Sequence, residues 1–412
     1  MVPSAPGGAT ASCEPGQLAS VIRLFINALS ATAGGGLTYV RNVVPLLAAA
    51  PVHATLMVSP TLRQEFDNLS NVDFLEMDIS ALQRFWFEQS QLKELIRKCA
   101  ADVLLSTGNF AVRKSPVPQI LLSRNSIYTS VDYFRDLKHR HQYRMLADTY
   151  VRGMFAKRSI HWADVTVAPS EAFAAELERW TGAKVVSIHH GFDREAFTRN
   201  TAPLSDEVEA KLASANGVLK LLFVSHYNYY RNFETLIRAL PILRAKFPDS
   251  PLRLLLTCEL ASGKNPGACR PDLAANLIKT LGVSDMIVEL GTVPYGQLHH
   301  LYARADIYVT AAYAETFAHP LVEAMSGGLP VVASDIPVHR EICGQAAYYF
   351  DRFSASELAA SISRVAASQE TMKRMAVAGA QRSTTFSWAL HVRRLVELCH
   401  SLVNTTASLE SS

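Results

Sequence analysis

Short runs of consecutive apolar residues, rich in Val, Ile and Leu, alternate along the whole chain with longer stretches of helical periodicity. The runs fall at 21–27, 55–58, 102–106, 119–123, 164–168 and 184–189. After a polar gap they resume at 219–225, 252–258, 286–290, 306–310, 330–334 and 346–350. Strands apolar at successive positions are covered on both faces, as in parallel sheets. Between them, segments such as 170–181 and 232–246 place apolar residues every three to four positions, which predicts amphipathic helices. Strand and helix in repeated alternation predict doubly wound α/β domains. The break lies at 199–218, where Thr201-Ala202-Pro203, a polar helical stretch and Asn216-Gly217 interrupt the alternation. Two Rossmann-like domains are therefore expected, at 21–200 and 217–385, with a last helix following Phe386-Ser-Trp388 over 386–408.

Length agrees, since 412 residues exceed one ordinary core. With 49% hydrophobic and 19% charged residues, the chain can bury two cores and is not disordered as a whole. A net charge of only +3 argues against a polybasic nucleic-acid binder. The six cysteines form no C-x-x-C pair and no Cys/His zinc spacing, so free thiols in a reducing cytoplasm are expected and no metal site. Residues 1–20, rich in Ala, Pro, Gly and Ser, lack the basic start and apolar run of a signal peptide and read as a disordered tail. The most apolar stretch, 43–58, is broken by Pro45, Pro51 and His53, so no membrane span is expected.

In open α/β sheets ligands sit beyond the carboxyl ends of the strands, so chemistry belongs at strand-to-helix corners. The most informative corner is 311–334, Ala-Ala-Tyr-Ala-Glu315-Thr-Phe-Ala-His-Pro-Leu-Val-Glu323-Ala-Met-Ser-Gly-Gly-Leu-Pro-Val-Val-Ala-Ser. A loop carries Glu315, and a helix starts near Pro320, with Glu323 in its first or second turn. Unpaired N–H groups at such a helix start attract anions. A bare pair of glutamates eight apart would be a solvated loop charge and a helix-start carboxylate. The surrounding residues change that. Glu, seven residues, then Glu-Ala-Met and a Gly-x-Pro-Val run resemble the donor site of the retaining family-4 glycosyltransferases, which have the GT-B fold.

The resemblance covers roughly 21–390. It implies two Rossmann-like domains facing across a cleft, with the last helix crossing back to the first domain. It implies a nucleotide-diphosphate sugar as donor, a hydroxyl acceptor, no cofactor and retention at the anomeric carbon. Glu315 is placed on the sugar, Glu323 on the ribose diol, and Thr316, Phe317, Ala318, His319 and Leu321 around the diphosphate. Leu221-Leu-Phe-Val-Ser225-His226, then Arg231-Asn232, looks like the family's strand, Gly-Arg and Lys, whose two cations grip the diphosphate. Here His226 stands for Arg and Arg231 for Lys. Arg231 can bind phosphate bidentately; His226 is a cation only when protonated. Gly291-Thr-Val293 is similar to the family's loop beside the base.

Gly34-Gly35-Gly36, alone an ordinary tight turn, resembles the family's glycine loop near donor phosphates and acceptor. Where relatives end a strand with His, this chain has Arg124-Asn125, which become candidates for sugar or acceptor contact, Asn125 taking the catalytic place. Segment 133–160 carries Arg135, Lys138, Arg140, Arg144, Arg152, Lys157 and Arg158 against Asp136 and Asp148, a basic helix suited to a solvated face or to peripheral contact with an anionic membrane. No Asp-x-Asp occurs, so a metal-clamped diphosphate is not indicated. The rival readings are an epimerase or hydrolase of the same fold, a nicotinamide oxidoreductase, which would need G-x-G-x-x-G after the first strand, and a non-catalytic nucleotide-sugar binder.

Overall fold

A computed structural model describes residues 21–32, 34–249 and 251–410. The tail expected over 1–20 lies outside the described residues. Strands β1 (Ile22–Asn27), β2 (Val52–Val58), β3 (Val72–Glu76), β4 (Val103–Ser106), β5 (Gln119–Leu122), β6 (Val165–Ala168) and β7 (Val185–Ser187) form one sheet, ordered β3-β2-β1-β4-β5-β6-β7. Strands β8 (Leu219–Phe223), β9 (Leu252–Leu256), β10 (Ile287–Glu289), β11 (Ile307–Thr310), β12 (Val331–Ser334) and β13 (Ala347–Phe350) form the second, ordered β10-β9-β8-β11-β12-β13. Every neighbouring pair is parallel, for example Phe25 opposite both Thr55 and Leu104, and Leu221 opposite both Leu254 and Ile307.

Strands β4, β5, β11 and β12 are buried at every position, as their unbroken apolar runs require. β3 has no counterpart among the expected runs. It is an edge strand of which only Val72 is fully buried, so its sequence Val-Asp-Phe-Leu-Glu reads as half polar.

Strand order reverses between β1 and β4 in the first sheet and between β8 and β11 in the second. At such switch points adjacent loops diverge and leave a crevice. The loops after β1, β8 and β11, together with the helix starts that follow the first and the last, carry Gly34–Gly36, Ser225–Arg231 and Glu315–His319. The motifs therefore stand at the reversals.

The last helix, Trp388–Glu410, crosses back to the first domain, where Trp388, Val392, Leu395 and Val396 share a core with Leu24, Tyr39 and Val43. In the opposite direction, Tyr133 and Leu137 of the helix Val131–His139 enter the core of the second sheet beside Leu221 and Phe223. Polar contacts accompany them. Arg140 pairs with Asp136 (2.7 Å) and with Glu234 (3.0 Å), Arg352 with Asp132 (2.7 Å), and the Tyr313 hydroxyl donates to Asp136 (2.9 Å). Elsewhere the Ser170 hydroxyl donates to the Thr316 carbonyl (2.7 Å), and Glu341 accepts the backbone N–H groups of Glu171 (2.8 Å) and Ala172 (2.6 Å).

The basic helix expected over 133–160 is corrected to two helices, Val131–His139 and Tyr143–Trp162. His141 has φ +56°, which ends the first. Nor is its charge all presented outward: Arg140 is drawn inward to Glu234 and Lys157 donates to the Trp180 carbonyl, while Arg152 stays exposed but is paired with Asp148. Among the described residues no helix is long and apolar enough to cross a membrane.

The crossover leaves a precise steric test. A Cβ on Gly191 would lie 2.0 Å from the Trp388 backbone nitrogen and 2.4 Å from the Ser387 carbonyl carbon. Neither atom can rotate away. Gly191→Ala is expected to destabilise the fold by about 3 kcal/mol, measured by urea unfolding. Wild-type stability would contradict this docking of the last helix.

Candidate active site

The two corners of the second sheet are tied to each other before any ligand binds. After β8, the Ser225 N–H donates to Thr257 Oγ1 (2.9 Å), and its hydroxyl donates to the His226 carbonyl (2.8 Å). A single 3-10 turn, Tyr229–Arg231, leads to Asn232 in left-handed backbone (φ +55°). The Asn232 amide donates to the carbonyls of Ala311 (3.2 Å) and Arg352 (2.6 Å), while Tyr313 N–H donates to the Tyr230 carbonyl (3.0 Å). These bonds bring the loops after β8 and β11 into register, so the Arg231 guanidinium meets the Glu315 carboxylate as an ion pair. Glu315 is 9% exposed and Arg231 20%. The guanidinium carbon also lies 4.9 Å from the Tyr230 ring centre. His226 stands beside them at the surface. Its partial enclosure, then the charge of Arg231, lowers its pKa from 6.5, so it is neutral at pH 7.

The loop after β11 ends in a second left-handed residue, Ala318 (φ +63°), which opens the helix His319–Ser326 with Pro320 in its first turn. A non-glycine residue in this backbone region is uncommon, and each corner has one. Phe317 is buried, and its aromatic neighbours include His190 and Phe386. Leu321 is buried in the same core, and the Thr316 carbonyl is held by Ser170. Glu323 is 3% exposed and accepts hydrogen bonds from the hydroxyls of Tyr302 (2.7 Å) and Tyr295. Burial raises its pKa from 4.5 to about 7, and the two tyrosines only partly oppose the shift. No motif announces these tyrosines. They come from the short turn and helix over 295–302, and only the fold sets them against the next helix.

On the facing wall, the helix Gly34–Leu47 starts with Gly34 at φ +58° and no acidic residue in its first turn. A Cβ on Gly34 or Gly35 would meet nothing within 4 Å, whereas one on Gly36 would lie 3.2 Å from Arg124 Nη2. The walls touch where His190 Nδ1 lies 3.2 Å from His319 Nε2, the rings stacked at 5.3 Å. Burial drives both pKa values down, that of His319 to about 4, so the pair is neutral. Gly291 (φ +80°) and Val293 follow β10, and Val293 is packed into the core. Asn125 is engaged locally, its Oδ1 accepting the Ile127 N–H (3.3 Å) to cap the turn Ser126–Tyr128. Arg231, Glu315 and His226 thus form one cluster, while Gly35 and Gly36 lie on the facing wall, Asn125 at the end of β5 in that domain, and Gly291 with Val293 at the edge of the second sheet.

Two facing Rossmann-like domains with such corners define a GT-B architecture. Comparison with known proteins agrees. Residues 205–382 match the family described as "Glycosyl transferases group 1" and residues 33–196 the "Glycosyltransferase Family 4". The chain belongs to the family-4 glycosyltransferases of the GT-B fold. It is similar to D-inositol 3-phosphate glycosyltransferase of Corynebacterium urealyticum, 26% identical over 58% of this chain and 57% of that one. The enzyme of the same name from Corynebacterium aurimucosum is 26% identical over 60% and 59%. The chain thus spans less than two thirds of the length of these curated relatives. Among solved structures, sucrose-phosphate synthase from Thermosynechococcus elongatus superposes with TM-score 0.72 at 17% identity, over 93% of this chain and 100% of that one. Anabaena HepE, solved in complex with UDP-glucose, does so with 0.68 at 17%, over 92% and 100%.

The raised pKa of Glu323 has a definite sign. The folded state holds this proton more tightly than the unfolded chain does. Its contribution to stability is therefore full below pH 4.5 and is lost as pH rises through about 7. At about 1.4 kcal/mol per unit, on the order of 3 kcal/mol is at stake. Glu323→Gln is expected to flatten the decline in stability between pH 5 and 7.5, followed by thermal unfolding. Parallel wild-type and variant curves would contradict a buried, proton-retaining carboxyl.

Proposed function

We propose that this protein transfers a sugar from a nucleoside-diphosphate sugar to a hydroxyl acceptor, with retention at the anomeric carbon and without a metal. The observation that carries the reading is the Arg231–Glu315 pair, assembled from the switch-point corners of the second sheet and facing the glycine loop of the first. In this reading Arg231 turns from Glu315 to the diphosphate, where a guanidinium binds phosphate oxygens bidentately. Glu315, released, accepts a sugar hydroxyl. Glu323 accepts from the ribose diol, and the backbone at Gly291 and Val293 lies beside the base. The backbone of 316–321 and the amides of Gly35 and Gly36 face the phosphates, and the helix starts add fixed partial charge that needs no reorganisation during reaction. Ser225 and His226 complete the wall.

The acceptor oxygen attacks the anomeric carbon on the face that the phosphate leaves. The bond from that carbon to the phosphate oxygen breaks, the new glycosidic bond forms, and the leaving phosphate oxygen takes the acceptor's proton. HepE's UDP-glucose complex supports a nucleotide-sugar donor, and the inositol phosphate enzymes support a hydroxyl acceptor. A second reading, donor binding without transfer, is favoured by one observation: beside Arg231 stands a histidine, His226, which is a weaker cation than an arginine and whose pKa is lowered further by partial enclosure and by the charge of Arg231.

Glu315→Gln separates the two. Freed from its counter-ion, Arg231 should bind nucleoside diphosphate as well as wild type or better, while turnover falls at least about 100-fold, as for a lost transition-state contact. Turnover should persist in EDTA. Turnover of the variant within twofold of wild type, or EDTA inactivation reversed by manganese, contradicts this scheme. Nucleotide-sugar binding with no glycosylated product from wild type supports the second reading.

A further inference from the structure

One strong cation in the cleft has no counter-ion. Arg124, at the end of β5, makes two hydrogen bonds: its backbone N–H to Asn109 Oδ1 (2.6 Å) and Nη2 to the Thr107 carbonyl (2.6 Å). No carboxylate pairs with it among the described residues, and its Nε is shut off from solvent without a partner. Its neighbours do not offset the charge. The Tyr39 ring lies 5.5 Å away, and burial keeps Tyr39 protonated and His190, His319 and His391 neutral. Burial lowers the pKa of Arg124 itself to about 10, which still leaves it charged at neutral pH.

A part-buried, uncompensated charge is costly, and one hydrogen bond to a neutral carbonyl does not offset that cost. What lies in front of it suggests the remedy. Nη2 approaches the first turn of the helix Gly34–Leu47 across Gly36, where a Cβ would crowd it at 3.2 Å, and space in front of Gly34 and Gly35 is open. The guanidinium thus lies beside a helix start whose first N–H groups have no partner within the helix, and both seek an anion.

We propose that Arg124 holds an anionic oxygen group of a substrate, a phosphoryl or carboxylate, against the Gly34–Gly36 loop. This subsite belongs to the first domain and is separate from Arg231. It rests on the glycosyltransferase reading only for the source of the anion, which is either the donor's diphosphate or an anionic substituent of the acceptor. In the first case charge on the leaving group is shared by both domains, so the neutral His226 is replaced as second cation from across the cleft. In the second, the acceptor is itself an anion.

The test titrates inorganic phosphate, UMP and a panel of nucleoside diphosphates (UDP, GDP, ADP) into wild type, Arg124→Lys and Arg124→Gln. Unliganded melting temperatures report folding. Loss of a charge-assisted contact is expected to weaken the affected ligand about 10- to 100-fold in Arg124→Gln, and less in Arg124→Lys, which keeps the charge but not the fork. If the donor supplies the anion, a saturating diphosphate displaces phosphate from wild type, and Arg124→Gln weakens the diphosphate but not UMP. If the acceptor does, phosphate binds to the diphosphate-saturated protein and Arg124→Gln abolishes that binding. Arg124→Gln indistinguishable from wild type in both titrations overturns the proposal, and a lower melting temperature alone then makes Arg124 a strut for Thr107. Failure of wild type to bind any diphosphate overturns the nucleotide-sugar reading, while the phosphate titration still decides Arg124.

Discussion

Parallel pairing is the constraint on which the rest depends. Because each strand of both sheets runs parallel to its neighbours, all strand-to-helix corners of a domain emerge at one edge. A chain with two such sheets can make a deep site only by turning those edges towards each other. The contacts that do so are exchanged in both directions. The last helix returns to the first sheet, and the helix Val131–His139 enters the core of the second. Arg140, part-buried between Asp136 and Glu234, ties this second exchange electrostatically. Removing one member of such a group leaves an uncompensated interior charge, which makes the arrangement specific as well as stable.

The chemistry follows from what the edges present. One wall offers a carboxylate and a guanidinium that neutralise each other, Glu315 and Arg231. The other offers glycine amides and an arginine with no counter-ion. Between them lie buried, neutral histidines. A dianionic ligand entering this space would meet a net positive charge that comes from the first domain, and in the proposed reading the Arg231–Glu315 pair of the second opens to receive it. The cleft is therefore asymmetric in charge, although the two sheets are alike in topology.

Much of this is legible in the sequence, for identifiable reasons. Buried parallel strands need unbroken apolar runs, so β4, β5, β11 and β12 announce themselves, whereas β3, half exposed at an edge, does not. Glu315 and Glu323 stand in a contiguous motif with Pro320 and Gly327, so their corner is readable. The tyrosines on Glu323 are less so, because a hydrogen bond between separate helices leaves no periodic trace. The break at His141 is hidden for another reason. It rests on one left-handed residue, His141, and the neighbouring Arg140 is held by Glu234, far along the chain. Arg124 shows the same limit: its lack of a counter-ion is a property of the neighbourhood and cannot be read from Leu-Leu-Ser-Arg-Asn.

The central claim is that one ligand bridges the two switch points. Hydrogen exchange, followed by mass spectrometry with and without a saturating nucleoside-diphosphate sugar, tests it most directly. Slower exchange is predicted together in peptides covering 34–47, 225–233 and 315–326, since a bridging ligand both accepts from these amides and restrains their opening. Protection confined to one domain, or found only away from these corners, would contradict the account.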